Sequence, residues 1–224
     1  MIEMETEETV GINYWRNITN KELDKILEEA RGLIFLIYNT AEINDIIGFL
    51  KRFRPKEDID ILYISLVRSY YHIKMTLEEK NLERKRLFIL DCVTSMITDV
   101  DEGSVFTGGK NIEGIFRKPP SDFDKLKGTI EEGLSLLKSV GISADMIVVD
   151  SISQFINLSF PTEHQIKSFY RFLDESKKDI LGIMHDTMVI LYNDRVGRLR
   201  YLPKLHADHI IRMDVIKEEP EWRG

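Results

Sequence analysis

Two hydrophobic periods take turns along the chain. Residues 21–31 set Leu23, Ile26, Leu27 and Ala30 on one helical face, with Thr19 or Asn20 placed to cap it. Residues 33–38 then run apolar without a break, the pattern of a strand buried on both faces of a parallel sheet. Helical spacing returns over 42–53 through Ile43, Ile46, Ile47 and Leu50, and Pro55 marks its exit. A strand near 61–66, a helix over 69–80 and a strand at 87–92 repeat the alternation.

Residues 98–120 break this rhythm. Gly103, Gly108, Gly109, Gly114, Pro119 and Pro120 punctuate them, which predicts a long irregular insertion. Ser121 or Asp122 then caps a helix reaching toward Val140, and 146–150 forms a fourth strand. Residues 163–184 are amphipathic through Ile166, Phe169, Tyr170, Leu173, Ile180 and Met184. Strands at 187–193 and 209–215, with a short helix between them, close the pattern. Strands alternating with helices imply right-handed crossovers, and so an α/β fold: a doubly wound, largely parallel sheet with helices on both faces. The expected organisation is an N-terminal tail at 1–18, one domain over 19–216 carrying the 98–120 insertion, and a C-terminal tail at 217–224, without internal repeats.

With 224 residues, 43% of them hydrophobic, the chain has the material for one sizeable core. Its net charge of −7 opposes generic attraction to nucleic acid or to an anionic membrane. Cys92 is the sole cysteine, which rules out an internal disulfide and a cysteine-rich zinc site and fits a reducing compartment. The first ten residues are acidic, without the basic and apolar regions of a secretory signal, and the longest apolar run is too short to span a bilayer. The expectation is a soluble cytoplasmic protein with no membrane partner. Charged residues make up 31% while glutamine occurs only at Gln154 and Gln165, a thermophile-like bias.

The chemistry centres on Met146-Ile-Val-Val-Asp150-Ser151, an apolar strand that ends in an acid. Together with Ser151-Ile152-Ser153, the strand Leu87-Phe88-Ile89-Leu90-Asp91 and the segment Ser121-Asp122-Phe123-Asp124-Lys125-Leu126, it makes residues 30–215 similar to the RecA/KaiC-like P-loop ATPase superfamily. Within it the chain resembles archaeal-type KaiC-related members with a degenerate Walker A. This resemblance implies a RecA-like P-loop NTPase fold, with Asp150 and Ser151 at the edge where such proteins hold Mg²⁺ and ATP.

The phosphate cradle is missing. At the first strand–helix junction Tyr38-Asn39-Thr40-Ala41-Glu42-Ile43-Asn44-Asp45 stands where a glycine loop and lysine are required. Asn39 or Thr40 caps the helix, Asn39 and Glu42 have capping-box spacing, and Glu42 and Asp45 put negative charge where a phosphate would enter. Family ATPases commonly carry acids just after the second strand to activate water, whereas this chain reads Ile64-Ser65-Leu66-Val67-Arg68-Ser69. Arg68 reads as a solvated arginine at the start of a helix, with an anionic ligand as its other role. The expectation is a pseudo-ATPase without a cofactor or catalytic residues, acting through a protein partner or a homo-oligomer. Asn39, Thr40, Arg68, Asp91, Asp150 and Ser151 are its candidate ligand-binding residues.

Two alternatives compete. Asp91 and Asp150, at the carboxyl ends of parallel strands, are a candidate divalent-metal pair for an unconventional ATPase or phosphohydrolase using Mg and ATP. The basic stretches at 80–86 and 195–204, the second with Arg195, Arg198, Arg200 and Lys204 around Tyr201, are candidates for nucleic-acid contact. Gly103–Asn111 misses the Walker A spacing and lacks a following helix. His185-Asp186 and His206-Ala-Asp208-His209 match no zinc framework, and Ser151 has no nucleophile elbow.

Overall fold

The computed structural model describes residues 2–5, 15–39, 43–80, 84–107, 112–156, 162–181, 187–195 and 206–213. In chain order their elements are β1 (Ile2–Glu5), β2 (Trp15–Ile18), α1 (Asn20–Glu29), β3 (Gly32–Tyr38), α2 (Ile43–Arg52), β4 (Ile59–Ser65), α3 (Tyr70–Lys80) and β5 (Lys85–Asp91). There follow α4 (Thr94–Ile97), β6 (Val105–Thr107), β7 (Ile112–Phe116), α5 (Phe123–Ser139), β8 (Met146–Asp150), α6 (Glu163–Glu175), β9 (Thr187–Asn193) and β10 (His209–Met213). A 3₁₀ turn at Ile152–Phe155 follows β8, and a π turn at Ser176–Leu181 extends α6.

The strands form one sheet in the order β2-β1-β10-β3-β9-β8-β4-β5-β7-β6. The seven from β10 to β7 are mutually parallel, while β1, β2 and β6 add antiparallel margins. Side chains alternate across a strand, and each apolar run therefore feeds two cores. Ile34, Leu36, Tyr38, Tyr63 and Val148 join α1, α2 and α3 on one face. Leu33, Phe35, Ile37, Leu62 and Val149 join α5 and α6 on the other. The molecule is thus an α/β protein with a doubly wound, largely parallel sheet and helices on both faces. Among the described residues, no helix is long and apolar enough to cross a membrane.

Local chemistry explains the helix starts. Thr19, rather than Asn20, caps α1 in a capping box with Glu22, and Asp122 caps α5 by accepting from the Lys125 amide at 2.8 Å. Gly133 lets α5 lie close on the sheet, because a Cβ there would come within 2.6 Å of the Leu90 side chain.

The expected boundaries change in three places. Residues 1–18, expected as a tail, contribute β1 and β2, which continue the sheet from β10. The expected irregular insertion at 98–120 contains β6 and β7, and β7 lies parallel to β5 with Gly114 opposite Ile89. A central glycine and a five-residue length hide this strand from a propensity argument, and its neighbour supplies the missing stability. The helix expected over 163–184 is α-helical only to Glu175 before the π turn. The short helix expected between the last two strands falls largely on residues 196–205, outside the described residues.

Candidate functional site

Five consecutive buried residues carry β8 to the carboxyl edge of the sheet, where it ends in the fully buried Asp150. Register sets its surroundings, because Ser65 at the end of β4 pairs with Asp150 on one side and with Asp91 on the other. Parallel strands in register present these three side chains to the same face as α1–α3. The two aspartates stand two strand spacings apart, ~10 Å.

Three side chains converge on the Asp150 carboxylate. Arg68 Nη1 donates to Oδ2 in a buried ion pair, the Tyr63 hydroxyl donates to the same oxygen at 2.5 Å, and the Tyr38 hydroxyl reaches Oδ1 at 3.4 Å. The Leu66 amide donates to the Asp150 carbonyl at 2.6 Å, and Ser65 Oγ donates to the Arg68 carbonyl at 2.5 Å, so the turn after β4 is stitched to β8. Arg68 is therefore buried and paired, not the solvated arginine expected from sequence. Its guanidinium folds back over the sheet edge because a buried carboxylate without a cation carries a large desolvation penalty.

The electrostatics are self-contained. Burial alone would lower the Arg68 pKa, but Asp150, Tyr63 and Tyr38 outweigh it and leave the guanidinium more firmly protonated than usual. Burial, and then the negative charge of Asp150, push the Tyr38 phenol up to about 12. Burial followed by Asp150 likewise holds the Tyr63 phenol well above its ordinary range. Both phenols stay protonated donors at neutral pH.

Asp91 is also fully buried but is held differently. Its Oδ1 accepts from the Val93 and Thr94 amides at 2.8 and 2.9 Å, and its Oδ2 from the Tyr70 amide at 2.7 Å and Thr94 Oγ1 at 2.5 Å. It fastens the starts of α3 and α4. Mg²⁺ requires carboxylate oxygens with lone pairs turned toward the ion. Here both oxygens of Asp91 are occupied by protein donors, Asp150 Oδ2 is taken by Arg68 and Tyr63, and the guanidinium beside it repels a cation, so this donor set does not fit Mg²⁺. Among the described residues, no group of three His, Cys, Asp or Glu side chains is placed to hold a metal ion.

Ser151 points into a second polar chain. Its Oγ lies 2.7 Å from Ser153 Oγ, which accepts from the Asn193 amide at 2.8 Å and so ties the turn after β8 to the end of β9. Asn39 is half-buried at the end of β3, while Thr40, Ala41 and Glu42 lie outside the described residues. Asp45 occupies the first turn of α2 with one carboxylate oxygen buried and without a hydrogen-bond partner.

The remaining candidates disperse. His206 Nδ1 lies 2.7 Å from Asp174 and its ring stacks on Tyr170, while Asp208 accepts from the Leu33 amide and Lys177. Lys85 is buried against the Arg54 and Glu57 carbonyls, and Arg86 forms a two-point pair with Asp60. These two cations of the 80–86 stretch thus serve the fold. Arg195 is exposed after β9, whereas His185, Asp186, Arg198, Arg200, Lys204 and 108–111 of the glycine-rich stretch lie outside the described residues. Tyr38, Tyr63, Ser153 and Asn193 were not among the candidate site residues of the sequence reading. The available signal was a tyrosine inside an otherwise apolar strand, whose hydroxyl needs a partner once buried.

No protein-family model matches this chain, and no curated protein matches it. Among solved structures, the chain is similar to the flagellar accessory protein FlaH from Methanocaldococcus jannaschii, at 15% identity over 88% of this chain and 78% of that one, with a TM-score of 0.49.

Proposed function

We propose that this chain is a RecA/KaiC-like domain with a degenerate Walker A that has given up ATP turnover and acts through a protein surface, as a regulatory or assembly partner. One observation carries the reading: the acid that would face Mg²⁺ is neutralised by the chain's own arginine and bound by two tyrosine hydroxyls. Arg68 also follows β4 in the stretch where the family resemblance calls for a water-activating acid. Asp45 supports the same reading from the start of α2. A carboxylate in the first turn of α2 competes with an incoming phosphate for the positive end of that helix.

Isothermal titration calorimetry with Mg-ATP tests the proposal. The expected result is no binding in the micromolar range. Micromolar affinity with the phosphates seated at the start of α2, or metal-dependent ATP hydrolysis abolished by Asp150→Asn, overturns it.

A further inference from the structure

Exposed apolar side chains concentrate in one stretch of the chain. Of the seven large hydrophobic side chains exposed among the described residues, six fall within residues 67–105: Val67, Tyr71, Met75, Met96, Ile97 and Val105. Tyr71 and Met75, four apart on α3, share a helix face. Met96 and Ile97 end α4 and are 66% and 70% exposed. The two helices are bound together at their starts, because the Asp91 carboxylate accepts from the Tyr70 and Thr94 amides. Tyr71 and Met96 therefore rise within one or two residues of the same buried anchor. The chain then passes over the end of β7, where the Gly103 amide donates to the Phe116 carbonyl at 2.9 Å, and enters β6. β6 is the last strand of the sheet, and its exposed Val105 pairs with Ile115 of the α5–α6 core and so lies on the opposite face from α3.

This apolar ground has an acidic margin. Asp99 and Asp101 are exposed on either side of Val100, which packs against the core, and neither forms an ion pair among the described residues. Glu102 follows and is paired with Lys118. Exposed methionine and aliphatic side chains beside unneutralised carboxylates favour a partner with apolar anchors and positive charge. A second copy of this chain would bring a net charge of −7 against −7 and set the same acids near one another. An anionic membrane or a nucleic acid meets the same repulsion.

We propose that the surface built by α3 and α4 docks a basic amphipathic helix of another protein, its apolar side on Met96, Ile97 and Tyr71 and its cations toward Asp99 and Asp101. The proposal deepens the protein-surface reading above and rests on it for the role of the contact.

The test titrates the full chain, with and without Mg-ATP, against a fluorescent synthetic leucine–lysine amphipathic helix, with a leucine–glutamate helix of the same pattern as control. The lysine peptide should bind and the glutamate peptide should not. Met96→Ser/Ile97→Ser should weaken binding about tenfold, as expected for removing buried anchors from a contact. Asp99→Asn/Asp101→Asn should weaken it severalfold and flatten its salt dependence, and Val140→Ser, exposed but outside this face, should leave it unchanged. Circular dichroism confirms that each variant is folded. Absence of binding, equal binding by the Met96/Ile97 variant, or an equal loss in Val140→Ser overturns the docking face. Self-association of the chain that disappears in the Met96/Ile97 variant also overturns it, by assigning the face to a second copy. An Mg-ATP heat with the peptide results intact would remove the pseudo-ATPase reading while leaving this surface in place.

Discussion

The ends of β5 and β8 present the same residue at the same level of one sheet, and the protein treats the two in opposite ways. Asp91 is satisfied mainly by backbone amides, two of them within three residues and the third at the start of α3, so its charge becomes part of local chain geometry. Asp150 is satisfied by side chains drawn from β3, β4 and the turn after β4, and its charge is balanced by Arg68. A carboxylate that caps amides is a structural fitting wherever the turn forms. One that must import a cation is a vacancy that a metal or an arginine can fill, and here the arginine fills it. The difference separates a carboxylate held by its own turn from one held by side chains of neighbouring strands.

The sharpest way to break this comparison is to remove the imported cation. Arg68→Ala should lower unfolding free energy by about 3–5 kcal/mol, the cost of leaving a buried carboxylate without its partner. Adding Asp150→Asn to Arg68→Ala should recover part of the loss in a double-mutant cycle followed by urea denaturation. A strictly additive cycle would mean that the two groups do not interact.

The contrasting strand end gives a somewhat smaller effect. Asp91→Ala strands several buried donors and should cost about 2–3 kcal/mol, with loss of amide-exchange protection concentrated at the starts of α3 and α4. If protection were lost equally around Tyr38 and Tyr63, the two sites would not be separable.

The smallest effect appears on the alkaline side. The Tyr38 phenol sits at about 12 in the folded protein against an ordinary value of 10.0. Its contribution is therefore fully present below pH 10 and is lost as pH rises toward 12, by at most ~2–3 kcal/mol. Tyr38→Phe should lack this part of the alkaline decline, and comparing denaturation midpoints of the two proteins between pH 8 and pH 11 measures it.

The two strand ends also mark how much of the site was legible beforehand. Asp150 stands out in the sequence because an acid interrupts Met146–Val149, and Arg68 stands out because an acid is expected near it. Neither position reveals that the two meet, since they are 82 residues apart and their contact depends on β4 lying beside β8. Without that register the arginine reads as solvated, which is the ordinary state of such a residue. Tyr38 and Tyr63 were hidden for the related reason that a buried tyrosine declares its need for a partner but not which partner. The sheet margins were obscured differently: β1, β2, β6 and β7 are three to five residues long, and such strands acquire stability from a neighbour and not from their own propensity.

By itself the sequence determined the alternation of buried strands and amphipathic helices, the α/β class, and the absence of a glycine-and-lysine phosphate loop after β3, because these are written in local spacing and residue type. Only the tertiary structure decided the strand order, the enlistment of short segments at both sheet margins, and the closure of Asp150 by Arg68 and two tyrosines. Those outcomes depend on which distant strands become neighbours, and a buried charge takes its partner from whatever that neighbourhood supplies.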